Sequence, residues 1–147
     1  MSVKAKLRRA PLRMTAGAYI LNAGLSKIRS NDEEQAKGIH AAASTVYPFL
    51  AKVEPKVFLK LLGAAEVTVG GGLLLPIIPA GVAGLLLSGF SGALLTLYAR
   101  TPALHDTFMR PTQPGSAFAK DVWLAGIGAS LVVDAVLSEN EKSRPTA

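Results

Sequence analysis

The sequence predicts an all-α fold: a polytopic membrane four-helix bundle with a surface-lying or re-entrant helix in its first connection. Three observations carry that prediction. Half of the 147 residues are hydrophobic and only 18% are charged, against about 25% in soluble domains. The apolar residues gather in blocks near the ~20 residues that a helix needs to cross a bilayer core. The charges gather at the two ends and in two connecting stretches.

The first predicted span covers about residues 11–28, "PLRMTAGAYILNAGLSKI". A signal peptide is the competing reading, because a basic start and an apolar centre fit one. Asn22 interrupts the apolar part and no clear small-x-small cleavage site precedes a mature domain, so an uncleaved helix is the expectation. The second span covers about residues 56–77 and is broken by "PIIP" at Pro76 to Pro79. Proline cannot continue the helical hydrogen-bond ladder and disfavours helix in the residue before it. The third span, about residues 80–99, follows so tightly that the two should form an antiparallel hairpin. The fourth covers about residues 118–137.

Two longer connections remain. Residues 29–55 begin polar and become apolar, but Pro48 breaks the apolar half. That pattern predicts a helix lying on the membrane surface or dipping into it. Residues 100–117 hold Pro102, Pro111, Pro114 and Gly115 and read as a surface loop. The tail from Glu139, "ENEKSRPTA", is polar, and its composition predicts disorder. No internal repeat is visible, and residues 1–147 read as one domain.

Composition also narrows the chemistry. Without cysteine, disulfides, thiol redox centres, iron–sulfur clusters and cysteine-ligated zinc are excluded. His40 and His105 both fall in connections, which argues against a bis-histidine haem between helices. No protein-ligated metal or cofactor is expected. The net charge of +6 draws on Lys4, Lys6, Arg8, Arg9 and Arg13 before or at the first apolar block. Beside apolar spans such a cluster reads as a topogenic signal or a contact with anionic headgroups rather than a nucleic-acid surface. It predicts a multi-pass protein of the cell membrane with both termini cytoplasmic.

Helical neighbours recur at three and four residues. Arg13, Gly17, Ile20, Gly24 and Lys27 share a face, as do Gly63, Glu66 and Gly70. Gly84, Ser88, Gly92 and Thr96 form a small-residue stripe, and Asp121, Ala125, Gly128 and Val132 align. Small residues let helices approach closely in lipid. Gly63, Gly70, Gly84, Ser88 and Gly92 are therefore expected to pack helices, which turns Glu66 toward the bundle interior.

Glu66 is the residue that most needs an explanation. A carboxylate inside a membrane is costly and usually has a partner. Depth along the helices ranks Asn22 first, Lys27 second and Arg13 third. Glu66 then either locks two helices together, or carries a proton or binds the polar head of a lipophilic molecule such as a quinone. Asp121 and Trp123 read as interface residues, an acid suiting a helix N-terminus and a tryptophan the interfacial belt.

"RMTAGAYILNAGLSKI" and "LLGAAEVTVGGGLLLPIIPAGVAGLLLS" resemble the first helix and the following hairpin of DoxX-like membrane proteins. The resemblance covers most of residues 13–137 and implies a small four-helix membrane protein. Some members are subunits of thiosulfate:quinone oxidoreductases, and others belong to complexes handling oxidative stress. The resemblance implies a membrane subunit of a redox complex with a soluble enzyme as partner, and a polar site at Arg13, Asn22, Lys27 and Glu66. Its partners would be the lipid bilayer, that enzyme and a second copy in a homo-oligomer. The long acidic first connection departs from the more compact members. A structural module without chemistry and a small transporter are the alternatives.

Overall fold

The computed structural model of the protein describes residues 3–113 and 115–143. All of its regular structure there is helical: α1 (Val3–Arg29), α2 (Glu33–Val46), α3 (Pro55–Leu74), α4 (Ala80–Arg100), the single turn α5 (Ser116–Ala119) and α6 (Asp121–Ser143). Three helical stretches are long and apolar enough to cross a membrane: Pro55–Leu74, Ala80–Arg100 and Asp121–Asn140. α1 is not among them, because Arg8, Arg9, Arg13 and Lys27 lower its mean hydropathy.

Two helix pairs make the bundle. α1 packs along α3, and α4 packs along α6. The tight connection Leu75–Pro79 joins α3 to α4, but these two touch each other far less than each touches its main partner. The hairpin expected from sequence is thus present in connectivity but not in packing. The reason is where the glycines lie. A Cβ placed on Gly24 would sit 2.6 Å from the Gly63 carbonyl oxygen, and one on Gly70 would sit 2.6 Å from the Leu21 nitrogen. A Cβ on Gly84 would sit 2.7 Å from the Gly128 carbonyl oxygen. Bare backbone meets bare backbone between α1 and α3 and between α4 and α6, and close approach is the main source of helix association in lipid. The core then fills with Ile20, Leu73, Leu87 and Leu131, all 2% exposed or less.

Gly92 corrects the expected stripe. Nothing lies within 4 Å of a Cβ built there. A four-residue repeat drifts about 40° per step on a 100° helix, so Gly92 has turned some 80° from Gly84. A seven-residue step drifts by only about 20°, and Ser91, seven residues after Gly84, is fully buried. The pairs Gly17–Gly24 and Gly63–Gly70 keep the same seven-residue spacing. Gly92→Ala should therefore fit without strain and raise stability by up to about 1 kcal/mol. Thermal unfolding in detergent checks this.

The ends of the elements differ from the sequence reading in three places. α1 starts at Val3, so the basic cluster is helical and Pro11 lies inside the helix. α2 begins in the polar half of its connection. The Asp32 carboxylate accepts the Gln35 backbone N–H at 3.0 Å, and Glu33 and Glu34 sit in the first turn, where the helix dipole favours them. α2 buries Ala36 and Ala43 and packs on α3 and α4. The polar tail expected to be disordered from Glu139 instead continues α6 to Ser143; residues 144–147 lie outside the described residues.

Exposed Glu33 also bonds Lys56 of α3 at 2.6 Å. That ammonium holds the Glu33 carboxyl below the usual carboxylate range. The link is complete above the ordinary glutamate pKa and is lost as pH falls through the lowered value.

The 101–119 connection folds back over the α2 end of the bundle. Tyr98 donates its hydroxyl to the Met109 carbonyl at 2.8 Å. Leu104, Tyr98, Leu97 and Ala43 form a second apolar cluster there. Gly115 packs directly on the Leu104 carbonyl and leaves no room for a Cβ. This end cover helps to roof the cavity described next.

Candidate functional site

α1 and α3 run antiparallel, so Lys27 near the end of α1 meets Glu66 of α3. The lysine ammonium donates to both carboxylate oxygens at 2.8 Å. Glu66 is 6% exposed. The pair sits beside the Gly24–Gly63 crossing, where the two backbones are close enough for a side-chain clamp to reach.

Asn22, ranked first by depth, is exposed and does not pair with Glu66. Depth fixes position along the axis but not around it. Five residues separate Asn22 from Lys27, a turn of about 140°, which carries the amide off the α3-facing side.

Arg13 is not part of this pair either. Its guanidinium, 9% exposed, donates to the carbonyls of Gly72, Leu73, Leu75 and Ile78 at 2.7–3.0 Å. A helix leaves its last carbonyls without intrahelical donors. Arg13 supplies them for α3 and ties down the turn into α4.

Glu66 and Lys27 form part of the wall of a cavity of about 220 Å³, to which α1, α2, α3, α4 and α6 all contribute side chains. Tyr19, Phe90 and Phe118 give it aromatic walls, and Lys120 and Asp121 complete its charged lining. Asp121 is 3% exposed. None of the described residues donates a hydrogen bond to its carboxylate. Its neighbour Trp123 is 75% exposed. Two residues are about 200° of helix, so the acid points inward and the indole outward. Asp121, expected at the interface beside Trp123, thus starts α6 with its carboxyl turned inward. Asp121, Leu124, Gly128 and Leu131 share the buried face of α6, and this three-and-four spacing was the available signal.

Lys120 places its ammonium 5.1 Å from the centre of the Tyr19 ring, a cation–π contact. Tyr19, Lys120 and Leu124 also border a second groove, of about 350 Å³, with Thr15, Ala16, Trp123 and Ile127. This groove lies between α1 and α6, whose mutual contact is sparse. The cavity therefore adjoins an apolar cleft on the outer surface.

The chemistry of the lining is specific. Two ammonium groups and two carboxylates balance, so a neutral head is the electrostatic match. Glu66 is already engaged by Lys27, whereas Asp121 in its ionised form accepts hydrogen bonds and donates none. A guest satisfies it by donating one. At about 220 Å³ the space is smaller than the ~300 Å³ where pockets for whole drug-sized ligands begin. It suits a single ring or similar head, with any tail left outside.

His40 is structural. Its Nε2 lies 2.9 Å from the Leu50 carbonyl, and its ring packs edge-on against Phe58. Among the described residues no three His, Asp or Glu side chains converge to hold a metal ion.

Comparison with protein-family models, curated proteins and solved structures finds no match.

Proposed function

We propose that the protein is a membrane-embedded binding subunit whose cavity takes the ring of a lipophilic quinone-class molecule in its hydroxyl-bearing, reduced form. The observation that carries this reading is Asp121: a buried carboxylate with no hydrogen-bond donor among the described residues, facing a small aromatic-walled cavity. A hydroquinone hydroxyl would donate to Asp121, and the tail would lie in the cleft between α1 and α6. In keeping with the DoxX-like features of the sequence, the subunit would belong to a redox complex and present this molecule to a soluble partner enzyme.

The membrane placement that goes with this reading adds α1 as a fourth span. About 27 Å of helix separate Arg9 from Lys27, close to the ~30 Å of a hydrocarbon core. The basic start of α1 would lie at the cytoplasmic headgroups of the cell membrane, together with the C-terminal end of α6. The cavity would then reach from the middle of the membrane, at Tyr19, Glu66 and Phe90, toward the opposite interface, with Trp123 as a belt residue. Ring entry from the bilayer would need no charge to cross the core.

A second reading is favoured by the clamp itself. Lys27 and Glu66 join α1 to α3 where their glycines touch, which is what a purely structural helix lock would look like. Copurification separates the two. The protein is extracted in mild detergent, and bound lipophilic molecules are identified by mass spectrometry for the native chain and for Asp121→Ala. A hydroxyl-bearing aromatic lipophile present in the native protein and lost from Asp121→Ala is the expected result. Phospholipid alone, identical in both, would leave the structural module as the function.

A further inference from the structure

Another groove, distinct from the cleft between α1 and α6, lies at the other end of the bundle. It holds about 260 Å³ and runs between Lys6, Arg9, Arg13 and Met14 of α1 and Leu73, Leu74 and Pro76 at the end of α3. Its charges are out of balance. Arg13 donates to carbonyls only, so its positive charge is hydrogen-bonded but not neutralised. Arg9 shares one carboxylate, that of Asp134, with Arg8. No carboxylate among the described residues pairs with Lys6. The rest of the groove is apolar and open: Met14 is 63% exposed and Leu74 37%.

We propose that this groove binds an anionic phospholipid, the phosphate seated among Lys6, Arg9 and Arg13 and an acyl chain lying along Met14 and Leu74. The two halves of the groove match the two halves of that ligand. A free phosphate would leave the apolar half uncovered, and a zwitterionic lipid would bring its own cation to an already cationic mouth. Basic pockets between membrane helices recognise anionic headgroups in this way. The location fits as well, because Arg9 and Arg13 flank the end of α3 where a hydrocarbon core would give way to headgroups. This inference depends on the membrane setting of α3 and not on what fills the cavity.

The groove explains the chemistry of α1 in another respect. Arg13 is buried where a lone cation is costly, and four carbonyls satisfy its donors without cancelling its charge. A bound phosphate nearby would supply the missing negative charge without breaking any of those bonds. Arg13 would then serve both the α3 terminus and the lipid.

The full chain, in detergent, is mixed with equal amounts of phosphatidylglycerol and phosphatidylcholine, and retained lipid is counted by native mass spectrometry. Arg13 is left intact because it holds α3. The native protein should retain phosphatidylglycerol at least about fivefold over phosphatidylcholine, and Lys6→Glu should lower that ratio by about fivefold for each unit of charge changed. Ala10 also lines the groove, and Ala10→Trp, which fills it without altering charge, should abolish retention of both. Equal retention of the two lipids by the native protein would overturn the proposal, as would an unchanged ratio in folded Lys6→Glu. Should Lys6→Glu fail to fold, unchanged lipid retention in Ala10→Trp overturns it instead.

Discussion

Lys27→Met should destabilise the protein by about 3–5 kcal/mol, the usual loss when one partner of a buried ion pair is removed. The loss arises from what stays behind. Glu66 is 6% exposed, and both of its oxygens take their hydrogen bonds from Lys27. Without the ammonium, a desolvated carboxylate loses its hydrogen-bond donor, or takes up a proton to escape the cost. Glu66→Gln in the same chain should recover most of the loss, because the amide carries no charge to bury. Unfolding in mixed micelles, for the two single variants and the double, yields the coupling between them. Equal losses in Lys27→Met and in the double would show that the pair contributes packing alone.

Gly24→Leu should be comparably damaging, at about 3 kcal/mol or more, through a different physical route. A Cβ there would lie 2.6 Å from the Gly63 carbonyl oxygen and 2.8 Å from the Val67 nitrogen. Neither neighbour is a side chain that can rotate away. The helices themselves must separate, which also draws Lys27 off Glu66. Gly71 provides the control, since nothing lies within 4 Å of a Cβ built there. Gly71→Ala should be silent or slightly stabilising by the same unfolding measurement. A Gly24→Leu protein as stable as the native one would contradict the close α1–α3 contact.

These two positions also mark what could be read from sequence. The face Arg13, Gly17, Ile20, Gly24 and Lys27 was legible because its spacing follows the helical period, and these residues lie on the packed side of α1. The inward placement of Glu66 followed from the glycines three before it and four after it. Its partner did not follow, because the ranking used depth without azimuth, and Asn22 fails on azimuth. The resemblance to DoxX-like proteins implies a polar site that includes Arg13. Its actual task, donating to the free carbonyls of α3, depends on where α3 ends against α1, which is a tertiary fact.

The alignment of Asp121 with Gly128 points to the packed face of α6, but its place in the cavity wall depends on tertiary packing. Its neighbours Lys120 and Trp123 in the chain suggested an interfacial helix start, a sound local argument that placed the residue by sequence adjacency. Residues adjacent in a helix point about 100° apart, and the acid faces the cavity while the indole faces out. The small-residue stripe failed at Gly92 for a related reason, since a four-residue repeat walks around the helix. Pairing of α1 with α3 and α4 with α6 could not be taken from the tight Pro76–Pro79 turn, because connectivity does not decide which helix surfaces approach closest.

Under the proposed function, the cavity selects a neutral head that donates a hydrogen bond to Asp121. The most direct measurement titrates the protein in nanodiscs with a short-chain alkyl hydroquinone and with its oxidised quinone. Quenching of Trp123, the single tryptophan, reports occupancy of the adjoining cleft. A hydrogen bond to a charged group contributes about 1.5–3 kcal/mol. The hydroquinone should therefore bind at least about tenfold more tightly than the quinone, and Asp121→Ala should erase the difference while leaving the fold intact. Equal affinity for the two forms in the native protein, or a preference that survives in Asp121→Ala, would contradict the account.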